Sequence, residues 1–107
     1  MATIVRNSQD KYVKLIKKAL DKYERAYPGS KATLYRQNSV SVRVRILDPR
    51  FADWSKARRY DDVAAFLARE LDEDTLQEIS VLLTLTSNEL KSSLANLDFE
   101  NPLPSRL

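Results

Sequence analysis

The sequence predicts one small α+β domain with the element order α-β-β-α-β-α, and three observations support this. Residues 40–47 (VSVRVRIL) alternate apolar and polar side chains, which indicates a half-buried strand. Residues 8–27 and 55–71 repeat apolar side chains every three or four positions, as helices with one buried face do. A chain of 107 residues can form one hydrophobic core but not two. We therefore expect a three-stranded sheet with the helices packed on one of its faces.

The first helix is expected over residues 8–27, with Asn7 or Ser8 as its N-cap and Pro28-Gly29 ending it. Its surface opposite the apolar side carries five cations within about a quarter of the helix circumference. These cations form the basic ridge: Lys11, Lys14, Lys18, Lys22 and Arg25. Two interpretations stay open. The ridge could bind phosphates or an acidic partner, or it is a solvated face softened by Asp10–Lys14 and Asp21–Arg25 pairs.

Residues 31–37 (KATLYRQ) also alternate, and the turn Gln37-Asn38-Ser39 would join them to residues 40–47 in a hairpin. Arg43 and Arg45 then share the face opposite the core. Beside Tyr35 or Arg36, they could hold a nucleic-acid backbone on the sheet. The alternative is an exposed face on which both arginines pair with Glu78.

Asp48-Pro49 ends this strand, because proline cannot donate a ladder hydrogen bond. Phe51 and Trp54 hold the following loop on the core, and Ser55 caps the second helix. An acidic turn at 71–75 lacks the glycine and ligand spacing of a calcium loop. One core is expected to include Val42, Val44, Ile46, Ile79, Val81 and Leu83 from strands, and Val13, Ile16, Leu20, Val63 and Leu67 from helices. The same apolar faces extend to Val40, Leu85, Tyr23 and Tyr27, and in the second helix to Ala57, Tyr60, Ala64 and Leu71.

The third strand is expected over residues 76–85, followed by a last helix over 88–97 that Thr86 or Ser87 caps. Leu90, Leu94 and Leu97 would be its buried side. We expect the domain to span residues 1–98 and residues 99–107 to form a flexible tail, since the tail has two prolines and no periodicity.

Composition excludes several kinds of chemistry. The chain has no cysteine and no histidine, so thiolate nucleophiles, zinc fingers and imidazole catalysis are impossible. Asp61 and Asp62 are adjacent carboxylates within a predicted helix, and their positions there lie about 100° apart rather than converging. We therefore expect no enzyme, no metal and no cofactor. No apolar run has the length of a signal peptide or a membrane span, and a cytoplasmic location without a membrane partner is expected.

Charge is distributed unevenly although the net charge is only +3. Residues 1–50 contain twelve Lys and Arg and four Asp and Glu, whereas residues 51–107 contain six and eleven. This asymmetry favours an anion-binding surface, a head-to-tail partner or weak self-association.

The stretch from Val42 to Leu90 resembles the BolA family, which has a class II KH-like fold. That family has a phenylalanine two residues before a glycine, a serine cap, an Arg-His pair opening a helix, an acidic turn, a strand and a Thr-Pro-Glu helix start. The matching positions here are Phe51, Ser55, Arg59 and Val63, and Thr86 with Glu89.

The departures from this resemblance affect function. Asp53 stands in place of the glycine, and Tyr60 in place of the histidine. The resemblance implies a [2Fe-2S] cluster shared with a monothiol glutaredoxin, bound by that histidine and by a His or Cys between the first two strands. A phenol is not an equivalent ligand, and residues 37–39 offer none. A KH domain proper needs a Gly-x-x-Gly loop, but Gly29 is the sole glycine.

The sequence thus predicts a BolA-like, non-enzymatic binding module that interacts with a protein and binds no iron–sulfur cluster. The alternative is binding of RNA or DNA through a basic surface, which would combine the basic ridge with Arg43, Arg45, Arg58 and Arg59.

Overall fold

The computed structural model describes residues 1–5 and 10–102 and confirms a compact single α+β domain. Within these residues the sheet has four strands rather than the predicted three. The elements are β1 (Thr3–Ile4), α1 (Lys11–Ala26), β2 (Lys31–Asn38), β3 (Ser41–Leu47), α2 (Lys56–Glu70), α3 (Glu73–Glu78), β4 (Ile79–Leu85) and α4 (Leu94–Glu100), with 3-10 turns at Pro49–Phe51 and Ser87–Glu89.

The strands are ordered β1-β2-β3-β4 across the sheet. The predicted hairpin is confirmed, since β2 and β3 are antiparallel, whereas β1 runs parallel to β2 and β4 runs parallel to β3. The sequence did not predict β1 because a two-residue strand has no measurable alternation. The short β1 and the seven-residue β4 are therefore the two edges of the sheet.

The main core lies between one face of the sheet and helices α1 and α2. The predicted faces of β3, α1 and α2 are confirmed at most positions. Val40 lies in the hairpin turn and is exposed, and Tyr27 is only partly buried. The prediction for α2 is wrong at Ala57 and Tyr60, which are exposed. Side chains that are fully or almost fully buried there include Val13, Ile16, Leu20, Tyr23, Val42, Val44, Ile46, Phe51, Val63 and Leu67. The two-residue period of β3 and the 3.6-residue period of α1 and α2 thus predicted the buried side chains of this core.

Helix α1 is capped by Asp10, whose carboxylate accepts the Val13 N–H at 3.0 Å. The predicted caps, Asn7 and Ser8, lie outside the described residues. Ser55 caps α2 as predicted and accepts the Arg58 N–H at 3.1 Å. After α1 the chain turns at Gly29, where φ is 95°, a conformation that glycine adopts without strain.

The prediction for β4 is wrong at its start and at its face. Residues 73–78 form α3, because Asp72 caps them by accepting the Thr75 N–H at 2.8 Å. Val42 pairs with Ile79 but Arg43 pairs with Val81, so Ser80 is an extra residue in β4. Such a bulge moves every later side chain to the other face. Leu82, not Val81 or Leu83, therefore packs toward the core, together with Ile79.

The last helix also differs from the prediction. Ser93 caps α4, which begins at Leu94 and continues to Glu100, two residues past the expected domain end at residue 98. Leu94 is 83% exposed, and Leu97 is exposed as well, whereas Phe99 is buried with its ring centroid 4.9 Å from that of Tyr35. Because Tyr35 lies on the sheet face opposite the main core, the helices cover both faces and not one. Residues 103–107 of the predicted tail lie outside the described residues.

Candidate functional site

The sheet arginines lie under α4 rather than on an open surface. Arg43 donates to Asp98 at 3.1 Å, and Arg45 donates to Asn96 at 2.7 Å and to Glu100 at 3.3 Å. Tyr35, the aromatic residue expected beside them, is 1% exposed. Glu78, their predicted partner, binds Arg36 at 2.9 Å instead. A nucleic-acid strand could reach this face only if α4 moved away.

Arg59 is a buried structural residue, with 6% of its surface exposed. Its guanidinium donates to both carboxylate oxygens of Glu89, at 2.7 and 3.0 Å, and to the backbone oxygens of Trp54 and Thr84. The hydrogen bonds from Arg59 and the Thr86 N–H lower the pKa of Glu89 to about 2. The pair joins the start of α2 to the segment after β4, and the hydrogen bonds of the Arg59 guanidinium go to groups of the protein itself.

A second arginine network fixes the loop between β3 and α2. Arg50 donates to Asp48 at 3.0 Å, to the Tyr23 hydroxyl at 2.9 Å and to Asp62 at 2.9 Å. Its guanidinium lies 3.6 Å from the Tyr27 ring centroid. Burial raises the pKa of the Tyr23 hydroxyl, and its hydrogen bond to Asp48 raises it further. This hydroxyl therefore stays protonated and is not available as a base.

Arg58, by contrast, is exposed, and its guanidinium stacks 4.0 Å from the Trp54 ring centroid. It lies one residue from Arg59 but is exposed, whereas Arg59 is buried. Of the two arginines predicted for α2, only Arg58 can meet a partner.

All five residues of the basic ridge are exposed, as a binding surface requires. Lys22 pairs with Glu70 at 2.8 Å, whereas Lys14, Lys18 and Arg25 have no carboxylate within 4.0 Å among the described residues. The two predicted neutralising pairs are replaced by others. Asp10 binds Arg36, and Asp21 binds Lys17 at 2.9 Å. The ridge is thus less neutralised than the sequence indicated.

The structure reveals an apolar hollow that the sequence did not predict. It measures about 320 Å³ and lies at the surface between α2, α3 and β4. Most of its wall is hydrocarbon, and Tyr60, 52% exposed, lies at its rim. The hollow is lined by Tyr60, Ala64, Leu67, Ala68, Leu76, Ile79, Ser80 and Leu82.

The hollow exists because two alanines of α2 are too small to fill the space beside β4. Ala64 and Ala68 lie four residues apart, hence one above the other on the helix. The Ser80 bulge brings Leu82 toward the same space, and the Ser80 hydroxyl bonds that of Ser41. The small residues were visible in the sequence, but their position opposite a bulged strand was not.

The residues present do not fit an iron–sulfur cluster. Tyr60 offers a phenol on the rim of an apolar hollow, and the chain contains neither imidazole nor thiolate. Within the described residues, no three acidic side chains gather as a metal site would require.

Comparisons of the chain with protein-family models, with curated proteins and with solved structures each found no match. None of the helices in the described ranges is both long and apolar enough to cross a membrane.

Proposed function

We propose that this chain is a BolA-like, non-enzymatic protein-interaction module that binds no iron–sulfur cluster, and that its docking surface is the apolar hollow between α2, α3 and β4. The observation that carries the proposal is the hollow itself. A surface cavity of about 320 Å³ with a mainly hydrocarbon wall suits one large apolar side chain of a partner.

The BolA-like part of the proposal is supported by topology and by local conformation. An antiparallel pair, β2 and β3, is followed by a parallel β4, and the buried Phe51 precedes Asp53 by two residues. Asp53 has a φ of 67°, which favours glycine, the residue that the family carries there. A left-handed position where the family has glycine is what a shared backbone would require.

The experiment is a peptide selection followed by titration. A random peptide library is selected on the wild-type chain, and the enriched peptides are titrated against Ala64→Arg and Ala65→Arg. Ala64 lines the hollow, whereas Ala65 is exposed one position further along α2, so the two variants have the same charge and composition.

We expect enriched peptides to bind wild type and Ala65→Arg with equal affinity. Their affinity for Ala64→Arg should be at least about tenfold lower, because the new arginine fills the hollow and excludes the apolar side chain of the peptide. Equal thermal unfolding of the two variants is the control for folding. An absence of enriched peptides, or equal binding to both variants, would overturn the proposal.

Binding of RNA or DNA is a second candidate, now limited to the basic ridge. It is favoured by the exposure of all five cations and by the lack of carboxylate partners for Lys14, Lys18 and Arg25 among the described residues. Such binding would weaken steeply as salt rises. Titration of labelled single-stranded RNA and duplex DNA at two salt concentrations tests it.

A further inference from the structure

The hollow lies beside an open edge of the sheet. The Asp48 N–H donates to the Leu85 C=O at 3.0 Å, so the polar backbone groups of Leu85 point toward β3. Direction alternates along a strand, so those of Leu83 also point toward β3, and those of Leu82 and Thr84 point outward. Within the described residues no strand pairs with that outer side.

Among residues 1–5 and 10–102, part of this edge is already occupied by a hydrogen bond and part has no partner. The outward Thr84 C=O accepts a hydrogen bond from Arg59 at 3.3 Å, which closes the edge near the end of β4. The outward N–H and C=O of Leu82 make no hydrogen bond to the described residues. They lie beside the hollow, which the Leu82 side chain helps to line. An edge strand with unpaired backbone groups is a template for one more strand.

The charge on helix α3, which contributes Leu76 to the wall of the hollow, selects among possible occupants. Helix α3 supplies Leu76 to the hollow, and it begins with three successive acids at Asp72, Glu73 and Asp74. The carboxylates of Glu73 and Asp74 are exposed in the first turn. A phosphate backbone beside this turn would be repelled, whereas a lysine or arginine would be attracted.

We propose that an extended segment of a partner protein binds along the outer edge of β4 as an added strand, places an apolar side chain in the hollow and directs a basic side chain toward Glu73 and Asp74. This inference rests on the proposed function, because it names the partner's chemistry at the same hollow. The chemistry of the segment follows from three features: the outward backbone groups of Leu82, the hydrocarbon cavity that Leu82 and Leu76 line, and the acidic start of α3.

The test uses the best peptide from the selection and has two parts. The first is amide hydrogen exchange by NMR with and without that peptide. The Leu82 N–H points outward and should exchange at least about tenfold more slowly in the complex, while the Leu83 N–H, already directed at β3, should change little.

The second part compares two pairs of substitutions that raise net charge equally. Glu73→Gln with Asp74→Asn should weaken peptide binding about fivefold or more, because they remove the acidic turn's charge. Asn88→Lys with Ser92→Lys, on exposed positions beyond the far end of β4, should not weaken it.

The outcomes separate this inference from the proposed function. If the peptide binds Ala64→Arg more weakly but does not slow hydrogen exchange of the Leu82 N–H, the protein-interaction function stands and strand addition is refuted. The same conclusion follows if the acids prove unimportant. If single-stranded RNA instead of peptides binds wild type and fails on Ala64→Arg, both proposals are overturned.

Discussion

The ion pair between Arg59 and Glu89 should make the stability of the domain depend on pH in a defined direction. Glutamate has a usual pKa of 4.5, and the pKa of Glu89 is lowered to about 2 by Arg59 and the Thr86 N–H. This difference corresponds to at most ~3 kcal/mol of the free energy of unfolding. Because 38% of the Glu89 side chain is exposed, solvent screening reduces the contribution to ~1–2 kcal/mol.

A lowered carboxyl pKa gives stability that is complete above the unfolded value and disappears as pH falls through the folded value. The contribution of Glu89 should therefore be present above pH 4.5 and be lost as pH approaches about 2. We expect Glu89→Gln to destabilise the domain by about 2 kcal/mol near pH 7, since Arg59 then stays buried without its counter-charge. At strongly acid pH the two proteins should become similar in stability.

Urea unfolding followed by the fluorescence of Trp54, the single tryptophan, measures this difference at both pH values. Asp98→Asn is the control, because Asp98 forms a more exposed pair with Arg43 and should cost within about 0.5 kcal/mol. If Glu89→Gln costs the same free energy of unfolding at neutral and acid pH, the Arg59–Glu89 pair is not the source of the pH dependence.

Three further predictions follow from the fold and the surface. Val44→Asp should unfold the domain, because Val44 is completely buried. Val81→Asp should stay folded, since Val81 is 36% exposed and lies opposite Arg43 in the neighbouring strand. Thermal melting followed by circular dichroism distinguishes the two variants. Lys14→Glu with Lys18→Glu should weaken the binding of any polyanion about equally while changing stability by less than about 0.5 kcal/mol. If the wild-type chain binds no polyanion near physiological salt, the nucleic-acid candidate is refuted. The chain should acquire no visible absorbance of an iron–sulfur cluster, alone or with a monothiol glutaredoxin, and stable transfer of that absorbance would contradict us.

The parts of the fold that the sequence predicted are the regular ones. In α1 and β3 the apolar residues follow one period from end to end, so the buried face could be identified by counting. Asp48-Pro49 and Ser55 act locally, through hydrogen bonds to neighbours in the chain, and their roles were also evident. Local rules are sufficient where no distant contact competes with them.

The incorrect predictions share a different cause. The extra residue Ser80 in β4 moves Val81 and Leu83 off the core, and nothing in an apolar run marks where a bulge falls. Leu94 and Leu97 have helical spacing, yet α4 buries Phe99 because Tyr35 lies across from it. The hollow depends on three elements that meet only in the folded chain, so no pattern within one of them could reveal it.

The most direct test of the account is the structure of the chain in complex with the selected peptide. We predict that the peptide backbone pairs with Leu82 on the outer side of β4 and that one apolar side chain of the peptide contacts Ala64 and Ala68 inside the hollow. A peptide bound instead on the basic ridge of α1, or on the exposed leucines of α4, would contradict the account.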